Sequence, residues 1–374
     1  MKENNINVNF DYIEERKLKA QTLENEMEEG WWKECHEIYE DILRYAEGKL
    51  EDVEMAELRR DYARFLLDCW DLDRGIELME TNVKMFRKLA EQSPETYKSE
   101  LARDISMLAA FHSRYLKHFE SVEREYAEAI GIYQELAERY PDAYMSQLAH
   151  ELDSLANFYS FCRKNEQAEQ EFGKAVIIYR KLFEESPGEY MRELANVLIP
   201  LSHIHEKTGK IQEAEQEYVE LISIVRKLAE DNPDKYMPKV ARYLKELVGL
   251  HIFYDLHRYE QAEQECNEAL SIYRKLAATS PELYNSDIAW CLGLSSCIYY
   301  EQGKPELTLT ALEEAICADP KEYHYLDLKC EILLEMGRND DALEVYHQIL
   351  EKDADYLKKT NSDLEKVLKE KGII

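Results

Sequence analysis

Glycine and proline are scarce. The chain holds 12 Gly and 9 Pro in 374 residues, too few for a β fold or a loop-rich one. Positive charge is also short: Lys and Arg number 47 against 77 Asp and Glu, a net of −30. A phosphate backbone or an anionic membrane needs concentrated Lys and Arg, so that balance argues against both as ligands. It is compatible with a basic partner, and it also keeps a large surface soluble. No apolar run approaches the ~18 residues of a membrane span. The opening MKENNINVNFDYIEERK has no apolar stretch of the signal-peptide kind, so the expected location is cytoplasmic. The eight cysteines form no CxxC pair and fall mostly at apolar helical positions, which predicts reduced core residues rather than a disulfide framework.

Catalytic signatures are missing as well. There is no Gly-rich phosphate loop, no HExxH and no GxSxG. His203 and His205 are two apart, and on a helix such neighbours point to different sides. Cys291 and Cys297, six apart, have poor chelating geometry. No catalytic residue, cofactor or metal is expected, and the chain does not read as an enzyme.

What is present is a repeat. Five times a Pro is followed three residues later by Tyr and then by an aliphatic-Ala pair: Pro94-Tyr97-Leu101-Ala102, Pro141-Tyr144-Leu148-Ala149, Pro187-Tyr190-Leu194-Ala195, Pro233-Tyr236-Val240-Ala241 and Pro281-Tyr284-Ile288-Ala289. The Pro-to-Pro intervals are 47, 46, 46 and 48. A period of about 20 to 50 residues marks an array in which each unit stacks on its neighbours.

Each unit predicts two helices. In residues 186–233, Ser186 suits an N-cap and Pro187 the first helical position, where its missing N–H costs nothing. Ser93-Pro94, Asn232-Pro233, Ser280-Pro281 and Asp319-Pro320 repeat the signal. Tyr190, Leu194, Leu198, Leu201 and His205 then recur at helical spacing, and Gly209 ends the helix. A second helix carries Ala214, Tyr218, Leu221, Ile224 and Leu228 on one face. It closes on Arg226-Lys227, with Arg87-Lys88, Arg180-Lys181 and Arg274-Lys275 in the same place. Cations there suit the helix dipole and can pair with nearby Glu.

The residue columns resemble the tetratricopeptide repeat: Leu155, Ala156, Tyr159, Ala168, Phe172 and Ala175 fit its pattern of small and aromatic positions. A small column runs Ala109, Ala156, Ser202, Val248, Ser296, Cys330. The aromatic or His column is His112, Tyr159, His205, His251, Tyr299. The second-helix small residue is Ala168, Ala214, Ala262 and Ala342, departing to Thr308. The units exceed the usual ~34 residues. From Ala175 to Pro187 is 12 residues, but from Ala315 to Pro320 only 5, which places about two extra turns in the second helix. The long form is similar in style to kinesin light-chain-type repeats.

The expected fold is therefore all-α: a tetratricopeptide-like α-solenoid, a right-handed superhelix of about eight helix-turn-helix repeats with a C-terminal capping helix. The expected divisions are divergent hairpins at 1–93, long repeats at 94–281, standard-length repeats at 282–354 and the capping helix at 355–374. The adjacent Trp31 and Trp32 cannot both face one core; the expectation is that one is exposed or packs on an N-terminal helix of residues 10–28.

The resemblance implies that the first helices line a concave groove. Its ligand-facing positions fall here in three columns: Arg103, His150, Asn196, Arg242, Trp290; then Ser106, Asp153, Ile199, Lys245, Gly293; then Ala110, Asn157, His203, Gly249, Cys297. The candidate binding residues are Arg103, His150, Asp153, Asn157, Asn196, His203, Arg242, Lys245 and Trp290. Asn can offer a peptide backbone both donor and acceptor, and Trp290 suits an aromatic anchor. Chaperone-tail binding is disfavoured, since Lys245 lacks an Asn four residues on, where Gly249 sits. The function the resemblance implies is a non-catalytic scaffold or adaptor for a peptide or protein partner. The alternatives are a regulator whose superhelix changes shape on binding a peptide, an accessory subunit of an enzyme complex, and a self-associating subunit.

Overall fold

The computed structural model describes residues 10–26, 30–69, 71–114, 119–254, 258–352 and 364–374. Those residues hold seventeen α-helices and no strand. They fall into two compact units, residues 1–185 and 186–374. The first contains α1 (Phe10–Glu26), α2 (Trp31–Ala46), α3 (Asp52–Asp68), α4 (Leu72–Gln92), α5 (Pro94–Ser113), α6 (Phe119–Arg139), α7 (Pro141–Phe161) and α8 (Asn165–Glu185). The second contains α9 (Pro187–Thr208), α10 (Ile211–Asp231), α11 (Pro233–Phe253), α12 (Tyr259–Ala277), α13 (Pro281–Glu301), α14 (Pro305–Ala318), α15 (His324–Glu335), α16 (Asn339–Lys352) and α17 (Leu364–Glu370). Consecutive helices pair as hairpins, and within each unit each hairpin packs on the next.

The five repeated prolines open α5, α7, α9, α11 and α13, as their fixed φ and missing donor dictate. The serines before them do less than expected. Ser93, Ser186 and Ser280 make no side-chain cap, and of this set only Asn232 accepts a backbone N–H, from Lys235 at 3.2 Å. Pro320 opens no helix. Asp319 Oδ1 instead accepts the Lys321 N–H at 3.3 Å in a turn, and α15 begins at His324. Gly209 ends α9 at φ 79°, a left-handed conformation that suits a residue without Cβ.

Helix lengths separate the two repeat forms. The second helices α4, α6, α8 and α10 have 21 residues and α12 has 19, while α14 and α16 have 14. First helices differ too: α13 spans 21 residues and α15 only 12. The added length thus lies in both helices of the hairpin, not the second alone.

The small columns form the seams. Ala109, Ala156, Ser202, Val248, Ser296 and Cys330 are all buried, as are Ala168, Ala214, Ala262, Thr308 and Ala342. The imidazoles of the aromatic column sit in the core, each beside a carboxylate from the second helix of its own hairpin, and His251 also beside one from the preceding hairpin. His112 Nδ1 lies 2.9 Å from Glu125 and His205 Nδ1 3.0 Å from Glu217. His251 lies between Glu215 and Glu265, each at 3.2 Å. The dibasic column is tied down in register. Arg87 meets Glu128 at 2.7 Å, Arg226 meets Glu268 at 2.7 Å and Arg274 meets Glu314 at 2.6 Å, each one hairpin further on. Such exposed pairs contribute about 0–1 kcal/mol apiece. At the C-terminal end, Leu364 and Leu368 of α17 are buried against Cys330, Tyr346 and Ile349. The rest of the expected capping segment, through residue 363, lies outside the described residues.

Candidate functional site: the first-helix face

Each residue of the first ligand column adjoins a buried alanine. Ala102, Ala149, Ala195, Ala241 and Ala289 are at most 5% exposed. Arg103, His150, Asn196, Arg242 and Trp290, one residue on, are exposed, Trp290 at 50%. That alternation follows from the 100° step of a helix, which turns the next side chain off the seam.

In the first unit, α5 and α7 carry four candidates. Arg103 is exposed and reaches Glu100 at 3.4 Å. His150 lies 3.6 Å from the Glu151 carboxylate, which raises its pKa. Glu151 is itself buried and accepts a hydrogen bond from Ser106 of α5 at 2.6 Å. Asn157 donates to the backbone oxygen and the carboxylate of Asp153, at 2.9 and 2.8 Å. Burial raises the Asp153 pKa against that hydrogen bond. Asn157 thus has its donor engaged inside the helix and its remaining capacity free.

In the second unit, α9, α11 and α13 carry five. Asn196 and Arg242 are exposed. His203 is half-buried, 6.2 Å from the Tyr218 ring, and burial lowers its pKa while Glu246 opposes the shift. Lys245 pairs with Asp287 of α13 at 2.5 Å, so it bridges two first helices rather than standing open. Gly293, in the same column, is buried: a Cβ there would stand 2.8 Å from the Tyr325 ring. That column therefore closes at α13 where the spacing predicted a ligand-facing position.

Further along the same face the structure shows what the columns did not. A cavity of about 600 Å³ opens between α11, α13 and α15, with Phe253, Cys297, Tyr300, Glu301, Leu328 and Glu331 among its lining. Of its lining, only Cys297 stood in a predicted ligand-facing column. The signal was the exposed aromatic pair Phe253 and Tyr300, at 63% and 44%, outside the core positions. At the other end of the chain, Trp31 packs edge-on against Phe65 at 5.9 Å while Trp32 is 48% exposed. The described residues contain no group of three or more His, Cys, Asp or Glu placed to hold a metal. None of their helices is long and apolar enough to cross a membrane. All eight cysteines are free, four of them buried.

A family model, Tetratricopeptide repeat, matches residues 119–143, which is α6 and the start of α7. That stretch of the chain matches the tetratricopeptide repeat. Among solved structures it is similar to a signal-transduction ATPase with a tetratricopeptide-repeat sensor from Pyrococcus horikoshii. There the identity is 16% and the TM-score 0.51, over 96% of this chain and 52% of that one. A kinesin light chain from Podosopora anserina with nearly identical TPR-like repeats aligns at 14% identity and TM-score 0.42, over 55% of this chain and 94% of that one. BtubC from P. vanneervenii aligns at 22% and 0.44, over 66% and 90%. No curated protein sequence matches the chain. At these identities the likeness is one of fold.

Proposed function

We propose that this protein is a non-catalytic cytoplasmic scaffold whose first-helix face, concave in the repeat family, holds a peptide or a partner protein. The observation that carries the reading is the exposed column of Arg103, His150, Asn196, Arg242 and Trp290, each beside a buried alanine. These side chains add little to the core, and they offer charge, amide and indole groups at a repeat spacing. Within each unit, binding then sums modest contacts over neighbouring hairpins from side chains held on packed helices, which limits the entropy lost on association. His203, half-buried and held toward its neutral form, supplies a hydrogen-bonding ring rather than a charge. Trp290 supplies the large rigid contact that dominates binding energy when covered.

Affinity capture from the native extract tests this, with the wild type beside Arg103→Glu/Arg242→Glu/Trp290→Ala. All three positions are exposed, so the variant should keep its helix content and melting temperature. A specific protein or peptide recovered by wild type and reduced at least tenfold by the triple variant is the expected result. A partner retained in full by the variant would move the site off this face.

A further inference from the structure

The cavity between α11, α13 and α15 carries an electrostatic pattern that folding does not account for. Among the described residues no Lys or Arg lines it, while Glu301, Glu331 and Glu335 do. Among the described residues none of the three makes an ion pair; Glu335 accepts only the Tyr300 hydroxyl, at 2.8 Å. Glu301 is the last residue of α13 and Glu335 the last of α15, and neither helix has a basic residue in its final turn. A helix C-terminus is the negative end of its dipole, where a cation is the favourable charge. Here two carboxylates are added instead. Burial, and after it the neighbouring Asp327 and Glu335, raise the pKa of Glu331, against a smaller pull from His324.

Part of the cavity wall is apolar. Phe253 is 63% exposed on one side, with Leu328 and Ile332 opposite on α15. At about 600 Å³ it lies within the size range of ligand pockets, with room for about two or three residues of a peptide. A cavity at the other end of the chain shows the contrast. There Lys17 and Arg64 stand among Glu24, Asp61 and Asp68, and Lys17 meets Asp61 at 2.8 Å. There two cations offset most of the charge of three carboxylates; in the α11–α13–α15 cavity no lining cation among the described residues offsets any.

We propose that this pocket docks a basic segment of a partner protein. An aromatic or branched aliphatic side chain enters between Phe253 and Leu328, and flanking Lys or Arg residues pair with Glu301, Glu331 and Glu335. The net charge of −30 favours the encounter at long range. Phe253 lies eleven residues beyond Arg242 on α11, about 16 Å along the axis. The pocket is thus a separate contact on the face already assigned to binding, and it goes beyond that assignment by naming the chemistry of what binds.

The test uses three fluorescein-labelled synthetic peptides and the full chain. One has an apolar centre flanked by Lys and Arg, one the same centre flanked by Glu, and one the basic flanks around an Ala centre. Anisotropy titrations at low and moderate salt should show saturable binding of the first alone, weakening as salt rises. E331Q/E335Q should weaken it about fivefold, the worth of two exposed ion pairs. F253A should weaken it about tenfold through lost apolar contact. Trp290→Ala is run beside them, and F253A should weaken binding more than it does. All these positions are exposed, so circular dichroism should match the wild type throughout. The proposal is overturned if the basic apolar peptide does not bind, if the acidic peptide binds as well, or if neither pocket variant weakens binding. If W290A alone weakens it, the pocket assignment falls while the scaffold reading stands.

Discussion

Replacing Asp104 by alanine should cost about 3–5 kcal/mol, the usual penalty for stranding a buried charge. Asp104 is fully buried on α5 and Arg60 is 5% exposed on α3. The guanidinium donates from Nε to one Asp104 oxygen and from Nη2 to the other at 3.4 Å. Nη2 also reaches Glu100 at 2.6 Å, and the guanidinium carbon lies 5.1 Å from the Phe86 ring centroid of α4. One side chain therefore ties three helices of two successive hairpins. Urea unfolding followed by fluorescence measures the loss, and a shift below about 1 kcal/mol would refute it. Arg60→Met/Asp104→Leu should recover most of the stability, because removing both charges also removes their desolvation cost. Burial pushes the Asp104 carboxyl up to about 6 against the pull of the Arg60 hydrogen bonds. Unfolded, it titrates near ~3.9. Between those values the folded state holds the extra proton, so stability from this group rises as pH falls from about 6 to about 4. The gap between wild type and D104A should widen over that descent.

That pair also marks where sequence reading stops. The hairpins were legible because their signals are local: a Pro at each first-helix start, apolar residues at helical spacing, small residues recurring once per unit. The buried columns of Ala156, Ser202, Val248 and Ala214 repay that pattern directly. Arg60, in the divergent stretch before residue 94, and Asp104, in the first clear repeat, are 44 positions apart, and nothing periodic announces the pair. Exposure along the first helices was also legible, since one turn of a helix fixes which side chain leaves the seam. What those side chains touch was not. Lys245 reaches a different helix to find Asp287, whereas Asn157 turns back one turn to Asp153. Gly293 read as an open position only because the column was counted without Tyr325, which arrives from the next hairpin. The His column was placed in the core, but its carboxylate partners were hidden among 77 acidic residues. The acidic cavity draws on five helices, α11 to α15, and no single segment carries its pattern.

Gly75→Ala should lower stability by about 3 kcal/mol, against the ordinary preference for alanine in a helix. In an exposed helix interior that exchange gains about 1 kcal/mol. Gly75, however, is buried on α4, and a Cβ there would stand 2.0 Å from Phe111 Cε1 and 2.2 Å from Cζ. Phe111 is itself fully buried on α5, so its ring cannot swing into solvent, and the helices must part instead. Overpacking of this kind costs about 1–3 kcal/mol and occasionally more, and the clash here is deep enough to place it at the upper end. Two glycines in the same unit give the control. A Cβ at Gly131 of α6 or Gly173 of α8 meets nothing within 4 Å, so alanine there should stabilise by about 0.5–1 kcal/mol. The contrast separates helix propensity from packing within one fold. Phe111→Leu added to G75A should raise stability above G75A alone, even though the leucine by itself leaves a cavity. If G75A proves neutral, or if the double variant falls below it, the close approach of α4 to the Phe111 ring does not set the spacing of these two hairpins.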